Sequence, residues 1–363
     1  MKLLILGDVV PTEVTDPLFD QQDKETLFTD FLGVFKQHDF TFVNLECALT
    51  KSDHAIEKFG PNLKACKNTA FVLKDVGVDC IGLSNNHIFD FGIEGYRDTI
   101  EALEEAGLDY TGFGENYEDS RTNYYIDDAG KKICIIDVCE HEYSYALEDR
   151  MGSRPFDPFD TLDDIRDAKK ECDRVIVIYH GGKEHCYYPS PRLRKVCRAM
   201  IKAGADLVTT QHSHCIGCYE PYEGGHILYG QGNFHFVGFR LEDVFPHWKN
   251  SLAISYDSQA NTVEFIPHCN EGKGITLAKG AKKEEIMTAF EERNASLQDG
   301  SWLEGWRAFC ETMRKSFTGF LSKTQVEGAR KKDNDLFGHL IDCEAHEDVL
   351  RELFPTANQT NEK

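Results

Sequence analysis

Short apolar runs recur along this chain without polar alternation, and most of them stop at an acid, an amide or a histidine. Residues 3–6, 40–45, 80–83, 133–138, 175–179, 207–210, 227–228, 252–255 and 263–266 have this character. A strand with one wet face alternates apolar and polar positions, so unbroken runs predict strands covered on both faces. Helical patterns separate them. In 93–106, Tyr96, Ile100 and Leu103 share a face and Gly107 is a stop signal; in 190–203, Leu193, Val196, Cys197 and Met200 do the same before Gly204. This rhythm predicts a layered α/β sandwich whose last strands pair antiparallel.

Two segments repeat one plan. Each has a glycine stop (Gly77, Gly204), an aspartate (Asp79, Asp206), a buried strand and a polar cluster: Asn85, Asn86 and His87 in one, His212, Ser213 and His214 in the other. Both clusters therefore emerge at the carboxyl ends of their strands, the rim where open α/β sheets bind ligands. Asp8 follows 3–6, Glu46 follows 40–45, His180 follows 175–179 and Asn233 follows 227–228. Taken singly these are ordinary: Asp8 as a helix cap, Glu46 as a solvated carboxylate, Asn85 and Asn86 as a turn, His180 as a loop histidine. Their convergence is not explained by packing. The alternation in His212-x-His214 predicts an extended segment with both imidazoles on one side. Imidazole suits Zn, Fe and Mn, carboxylate and amide oxygen suit Mn and Mg, and a thiolate-free mixture points to catalytic use. A carboxylate such as Glu46 can bridge two ions, and a pair roughly 3.5–4 Å apart activates water and stabilises a leaving oxygen.

The charge balance narrows the partners. Lys and Arg number 40 against 62 Asp and Glu, a net charge of −22, which argues against nucleic acid as a ligand. An anionic substrate then needs local help; Lys64, Lys183, Arg192 and Arg194, with the amides of Asn85 and Asn233, lie near the motifs. The opening apolar run breaks at Asp8, too short for a signal core, and no later stretch reaches the length of a membrane span. The 13 cysteines are scattered, with Cys134, Cys172 and Cys197 in apolar patterns. The expectation is a reducing, cytoplasmic setting without structural disulfides. Cys215 and Cys218 form an isolated C-x-x-C pair, read as coincidence, with a thiol near the ions or a redox role as the alternatives. Beyond 270 the chain turns charged and helical. Trp302, Trp306, Phe309 and Met313 at helical spacing read as core or, less simply, as a lid. This divides the chain into residues 1–270 and a mainly helical extension, 271–363, whose tail from 356 is polar and frayed.

Together, Asp8 after Gly7, Asn44-Leu45-Glu46, Ser84-Asn85-Asn86-His87 with Asp90 and Gly92, His180-Gly181-Gly182, His212-Ser213-His214 and Gly230-Gln231-Gly232-Asn233-Phe234 resemble the CapA family of capsule and poly-γ-glutamate biosynthesis. The likeness runs in order over roughly residues 1–270, and the family in turn resembles the calcineurin-like metallophosphoesterases. It implies a four-layer α/β/β/α sandwich of the metallophosphoesterase type, with a helical C-terminal extension. It further implies a centre of two divalent ions, Mn, Fe or Zn. In that reading Asp8 and His214 bind the first metal, Glu46 bridges, Asn86, His180 and His212 bind the second, and His87 is general acid or transition-state stabiliser. The implied activity is a dinuclear metal-dependent hydrolase of phosphoester or γ-glutamyl amide bonds. An anionic small molecule or polymer would be the substrate, and capsule-synthesis proteins would be partners. The alternative is a non-catalytic accessory protein that binds a glutamate polymer. Two departures stand out: Val10 occupies a position where metallophosphoesterases have a histidine, and Glu46 replaces an aspartate.

Overall fold

The computed structural model describes residues 1–324, 328 and 330–354, so the predicted tail from 356 lies outside the described residues. Two sheets face each other. The first runs, edge to edge, Gly274–Leu277, Thr262–Glu271, Asn250–Asp257, Lys2–Val9, Phe40–Leu45, Cys80–Gly82 and Asp109–Thr111, and Asn233–His235 pairs with the end of Lys2–Val9. The second runs Ile216–Tyr222, Gly225–Gln231, Leu207–Gln211, Arg174–His180, Lys131–Cys139 and Tyr124–Asp128. Pairing is parallel at the centre of both sheets and antiparallel among the last three strands of the first.

The side-chain alternation shows why the strands carry no polar face. Leu3 and Ile5 point between the sheets and pack with Ile133, Ile135, Ile176 and Ile178. Their neighbours Leu4 and Leu6 turn outward into a cluster with Phe19, Phe28 and Leu73 of the covering helices. On the second sheet Ile136, Val175 and Val177 turn outward onto Ile165, Leu193 and Met200. Each apolar side chain buried this way contributes roughly 1.5–3 kcal/mol. The result is helix, sheet, sheet, helix, the four layers that the resemblance implied.

Three features depart from the sequence reading. The weak run at 227–228 is the middle of a full strand, Gly225–Gln231, in a hairpin with Ile216–Tyr222. That hairpin needs a glycine at 217, where a Cβ would lie 1.4 Å from the Tyr229 carbonyl oxygen. The first sheet continues past 270 to Leu277, because Thr262–Glu271 is a half-buried strand with a mixed pattern. Four helices follow: Gly280–Asp299, Trp302–Leu321, Lys331–Asp342 and Glu344–Leu353. They are not a detached appendage. Ile286 and Phe290 close one end of the inter-sheet core. Trp302 joins the outer core, and Trp306 anchors a cluster with Cys186, Cys310 and Phe317 against which Phe309 and Met313 pack. Among the described residues no helix is long and apolar enough to cross a membrane, and all thirteen cysteines are free.

Candidate metal centre

Parallel pairing brings the carboxyl ends of the central strands to one rim. Asp8 and Asn44 sit opposite each other in register, and Asp8 pairs again with Asn233. Glu46 leaves the Phe40–Leu45 strand with its amide donating to the Val9 carbonyl at 3.1 Å. Asn85 builds the next turn: its Oδ1 accepts from the amides of His87 (3.1 Å) and Ile88 (2.9 Å), and its Nδ2 donates to Asn44 Oδ1 and the Leu45 carbonyl. From the second sheet, His180 ends its strand facing inward. Past Gln211 the backbone leaves the extended conformation. His212 and His214 have φ of +75° and +53°, so a left-handed turn, and not an extended alternation, aims their rings. Strain at such residues persists only where the surroundings hold it.

The side chains converge. His180 Nε2 lies 3.3 Å from Glu46 Oε1 and 3.0 Å from Asn86 Oδ1, while its Nδ1 lies 3.6 Å from Asp8 Oδ1. His214 Nδ1 lies 3.8 Å from Asp8 Oδ2 and 2.8 Å from Asn233 Oδ1. Two sets of donor atoms, each within 4.8 Å of one another, share one residue: Asp8, Glu46 and His214 form one, and Glu46, His180 and His212 the other. Asn86 adds an amide oxygen to the second. Burial, reinforced by the Glu46 charge, lifts the Asp8 carboxyl to about 7; burial lifts Glu46 to about 8. Burial likewise lowers His180 to about 4 and depresses His212 and His214. The neutral imidazoles are already in their ligand form, and a bound cation would displace the protons that burial keeps on the closely spaced carboxyls. Both Glu46 oxygens and His212 Nδ1 are buried without a hydrogen-bond partner, an arrangement that costs about 1–3 kcal/mol per group unless something binds there. A divalent cation fits this donor set.

His87 stands beside the centre. Its Nδ1 meets Asp90 Oδ2 at 2.7 Å and Lys58 Nζ at 3.1 Å, and Lys58 also pairs with Asp90. The ring Nε2 has no protein partner among the described residues.

The profile of the family described as bacterial capsule synthesis protein PGA_cap matches residues 2–237, a span that holds the whole centre. This chain belongs to the PGA_cap family. Its relatives include the capsule biosynthesis protein CapA of Bacillus anthracis, 28% identical over 299 residues (79% of this chain, 72% of that one). The PGA biosynthesis protein CapA of Bacillus subtilis (strain 168) is 29% identical over 261 residues (70% and 67%). Among solved structures, a putative 5'-nucleotidase from Staphylococcus aureus in complex with alpha-ketoglutarate superposes with a TM-score of 0.42 at 14% identity, covering 80% of this chain and 58% of that one.

Within this PGA_cap chain several expected residues take other positions. Asn85 is fully buried with its amide committed to the turn. Asn233 fixes the His214 ring. Arg192 clamps Glu140 (2.6 Å) and Asp348 (2.9 Å), and Arg194 binds Glu220 (2.7 Å); both are consumed in structural pairs. Lys183 is buried against Glu184 at 3.0 Å. Lys64 bonds the Ser52 carbonyl and Asp53 and lines an open cleft of about 1280 Å³ together with Val10, Lys51 and Arg240. Val10 is packed in the apolar cluster beside Phe19 and Phe236. Burial pushes the Cys215 and Cys218 thiols up to about 12, far from a reactive thiolate. Sequence reasoning missed Lys58, Glu142, His339 and His346. Lys58 sits in a loop without a motif, and the other three signal nothing until the C-terminal helices dock.

Proposed function

We propose that this chain is a divalent-metal-dependent hydrolase of capsule or poly-γ-glutamate metabolism, cleaving a phosphoester or a γ-glutamyl amide bond. The observation that carries this reading is Glu46, a buried carboxylate whose two oxygens have no hydrogen-bond partner, common to two converging donor sets. Asp8, Glu46 and His214 would hold one ion; Glu46, Asn86, His180 and His212 would hold the other. Bound there, the ions would supply water activation and charge stabilisation for the leaving atom. The chain does the rest. Asn44 donates to Asp8 Oδ1 at 2.8 Å and orients it. Asp90 Oδ2 accepts a hydrogen bond from His87 Nδ1 at 2.7 Å and fixes the ring, leaving Nε2 for proton transfer to the leaving group. Lys64, Lys51 and Arg240 line the cleft and would meet an anionic substrate there, beside Glu13, Asp16 and Asp20. The names of the Bacillus relatives, capsule and PGA biosynthesis proteins, support the metabolic setting.

A panel of phosphoesters and γ-glutamyl amides assayed with Mn²⁺, Fe²⁺ or Zn²⁺ tests this reading. Turnover of one class, lowered on the order of 10²-fold or more by His212→Ala, is the expected result. A protein that takes up no metal and keeps every activity in that variant overturns it. One observation favours a second reading: the apolar burial of Val10 leaves the first donor set with three residues. A non-catalytic accessory protein would bind oligo-γ-glutamate without turnover, and any metal-dependent product release removes that alternative.

A further inference from the structure

A second cluster of ligating side chains lies next to the centre and comes from a different part of the chain. Glu142 follows the Lys131–Cys139 strand, His339 lies on helix Lys331–Asp342, and His346 lies on helix Glu344–Leu353. Their donor atoms fall within 4.8 Å of one another. His339 Nε2 and His346 Nε2 face each other at 3.0 Å, and His339 Nε2 lies 3.4 Å from Glu142 Oε1. Without an ion, one imidazole has to donate a proton to the other; with one, both lone pairs meet at a single point. Burial depresses both histidines, which keeps them neutral. His346 Nδ1 is also buried without a partner.

The cluster is held from several sides. Tyr143 stacks on the His339 ring at 4.7 Å. His141 bonds Glu344 at 2.6 Å and the Tyr145 hydroxyl donates to Asp342 at 3.0 Å, which docks the two helices on the loop that carries Glu142. The neighbouring cation, Lys183, is neutralised by Glu184. The other oxygen of Glu142, Oε2, lies 3.4 Å from His212 Nε2.

We propose that Glu142, His339 and His346 form a third divalent-cation site, suited to Zn²⁺ and similar transition metals, which fastens the C-terminal helices to the metal centre through Glu142. Two imidazoles and one carboxylate make a borderline donor set that favours zinc-like ions over Mg²⁺ or Ca²⁺, and three protein ligands leave a position for water or an anionic group of the substrate. Two of the three ligands lie beyond residue 237, where the family match ends, on the C-terminal helices. It rests on the dinuclear reading only where Glu142 meets His212.

The test is metal stoichiometry. Full-length wild type, Glu46→Gln, His346→Ala and His339→Gln proteins are stripped with chelator, loaded with Zn²⁺ and counted by elemental analysis, with far-UV circular dichroism as the folding control. The expected result is that His346→Ala and His339→Gln each hold one ion fewer than wild type, while Glu46→Gln keeps one tight equivalent. If wild type holds a single ion, kept by Glu46→Gln and lost in His346→Ala, the third site stands and the dinuclear reading falls. Equal zinc counts in wild type and both folded histidine variants overturn the proposal. Should both variants unfold, anomalous scattering at the zinc edge from wild-type crystals decides. A peak between Glu142, His339 and His346 supports the site, and zinc density confined to Glu46 and its partners refutes it.

Discussion

Replacing Glu46 by glutamine should stabilise the metal-free protein, and by an amount that grows with pH. The carboxyl titrates at about 8 in the fold against 4.5 for the free side chain. Between those values the folded state keeps a proton that the unfolded state has released. A group whose folded pKa is raised contributes stability below its unfolded pKa and loses that contribution as pH rises through the folded one. Chelated wild type therefore loses about 1.4 kcal/mol per pH unit from Glu46 between pH 4.5 and about pH 8, or ~5 kcal/mol in all. That is a large share of the roughly 5–15 kcal/mol that holds a domain together. Glutamine keeps the shape and has no proton to lose. Asp137, at about 8, titrates alike in both proteins and cancels; Asp8, at about 7, is raised in part by the Glu46 charge that the variant removes, which adds a smaller gain of the same sign. Urea melts in chelator at several pH values should show the variant drawing ahead by ~1.4 kcal/mol per unit and levelling off above about pH 8. At pH 7, where the variant leads by ~3.4 kcal/mol, saturating Mn²⁺ should reverse the order, since binding at about a thousand times Kd to the Glu46 centre adds ~4 kcal/mol to wild type. A difference that is flat with pH, or a manganese gain equal in both proteins, would refute the account of Glu46 as a buried carboxylate awaiting cations.

Other perturbations probe other joints. A Cβ at Gly7 would lie 2.2 Å from the Gly232 carbonyl oxygen, so Gly7→Ala should force Lys2–Val9 away from Asn233–His235, cost about 1–3 kcal/mol and weaken metal binding by Asp8 and His214; an unchanged urea midpoint and metal titration would contradict this. His87→Ala should lower kcat by about 10²–10⁴ while the metal content by elemental analysis stays that of wild type. His235 and His268 are buried among Phe28, Phe31 and Phe234, and burial lowers both to about 4. Because their folded pKa values are depressed, their contribution is present above about pH 6.5 and lost as pH falls toward 4, ~3 kcal/mol each. His235→Phe should remove one such loss, read as a smaller drop in stability on acidification.

Much of this molecule was written locally. The unbroken run 175–179 could only be a strand with two covers, and the shared plan around Asp79 and Asp206 put His87 and His214 at one rim, because parallel strands in register present their carboxyl ends together. Asp8, Glu46, Asn86, His180, His212 and His214 were legible for that reason. Other facts were not. The left-handed turn at His212 and His214 reverses the extended geometry their spacing suggested. Asn85 spends its amide on its own turn, and Arg192 is taken by Glu140 and Asp348. Lys58 reaches Asp90 from a loop with no periodic signal, and Glu142 meets His339 and His346 across about two hundred residues. Periodicity reports which face of a nearby segment is covered; it carries nothing about which distant helix covers it. That choice belongs to burial and charge pairing summed over the whole fold, and it decided what surrounds the centre.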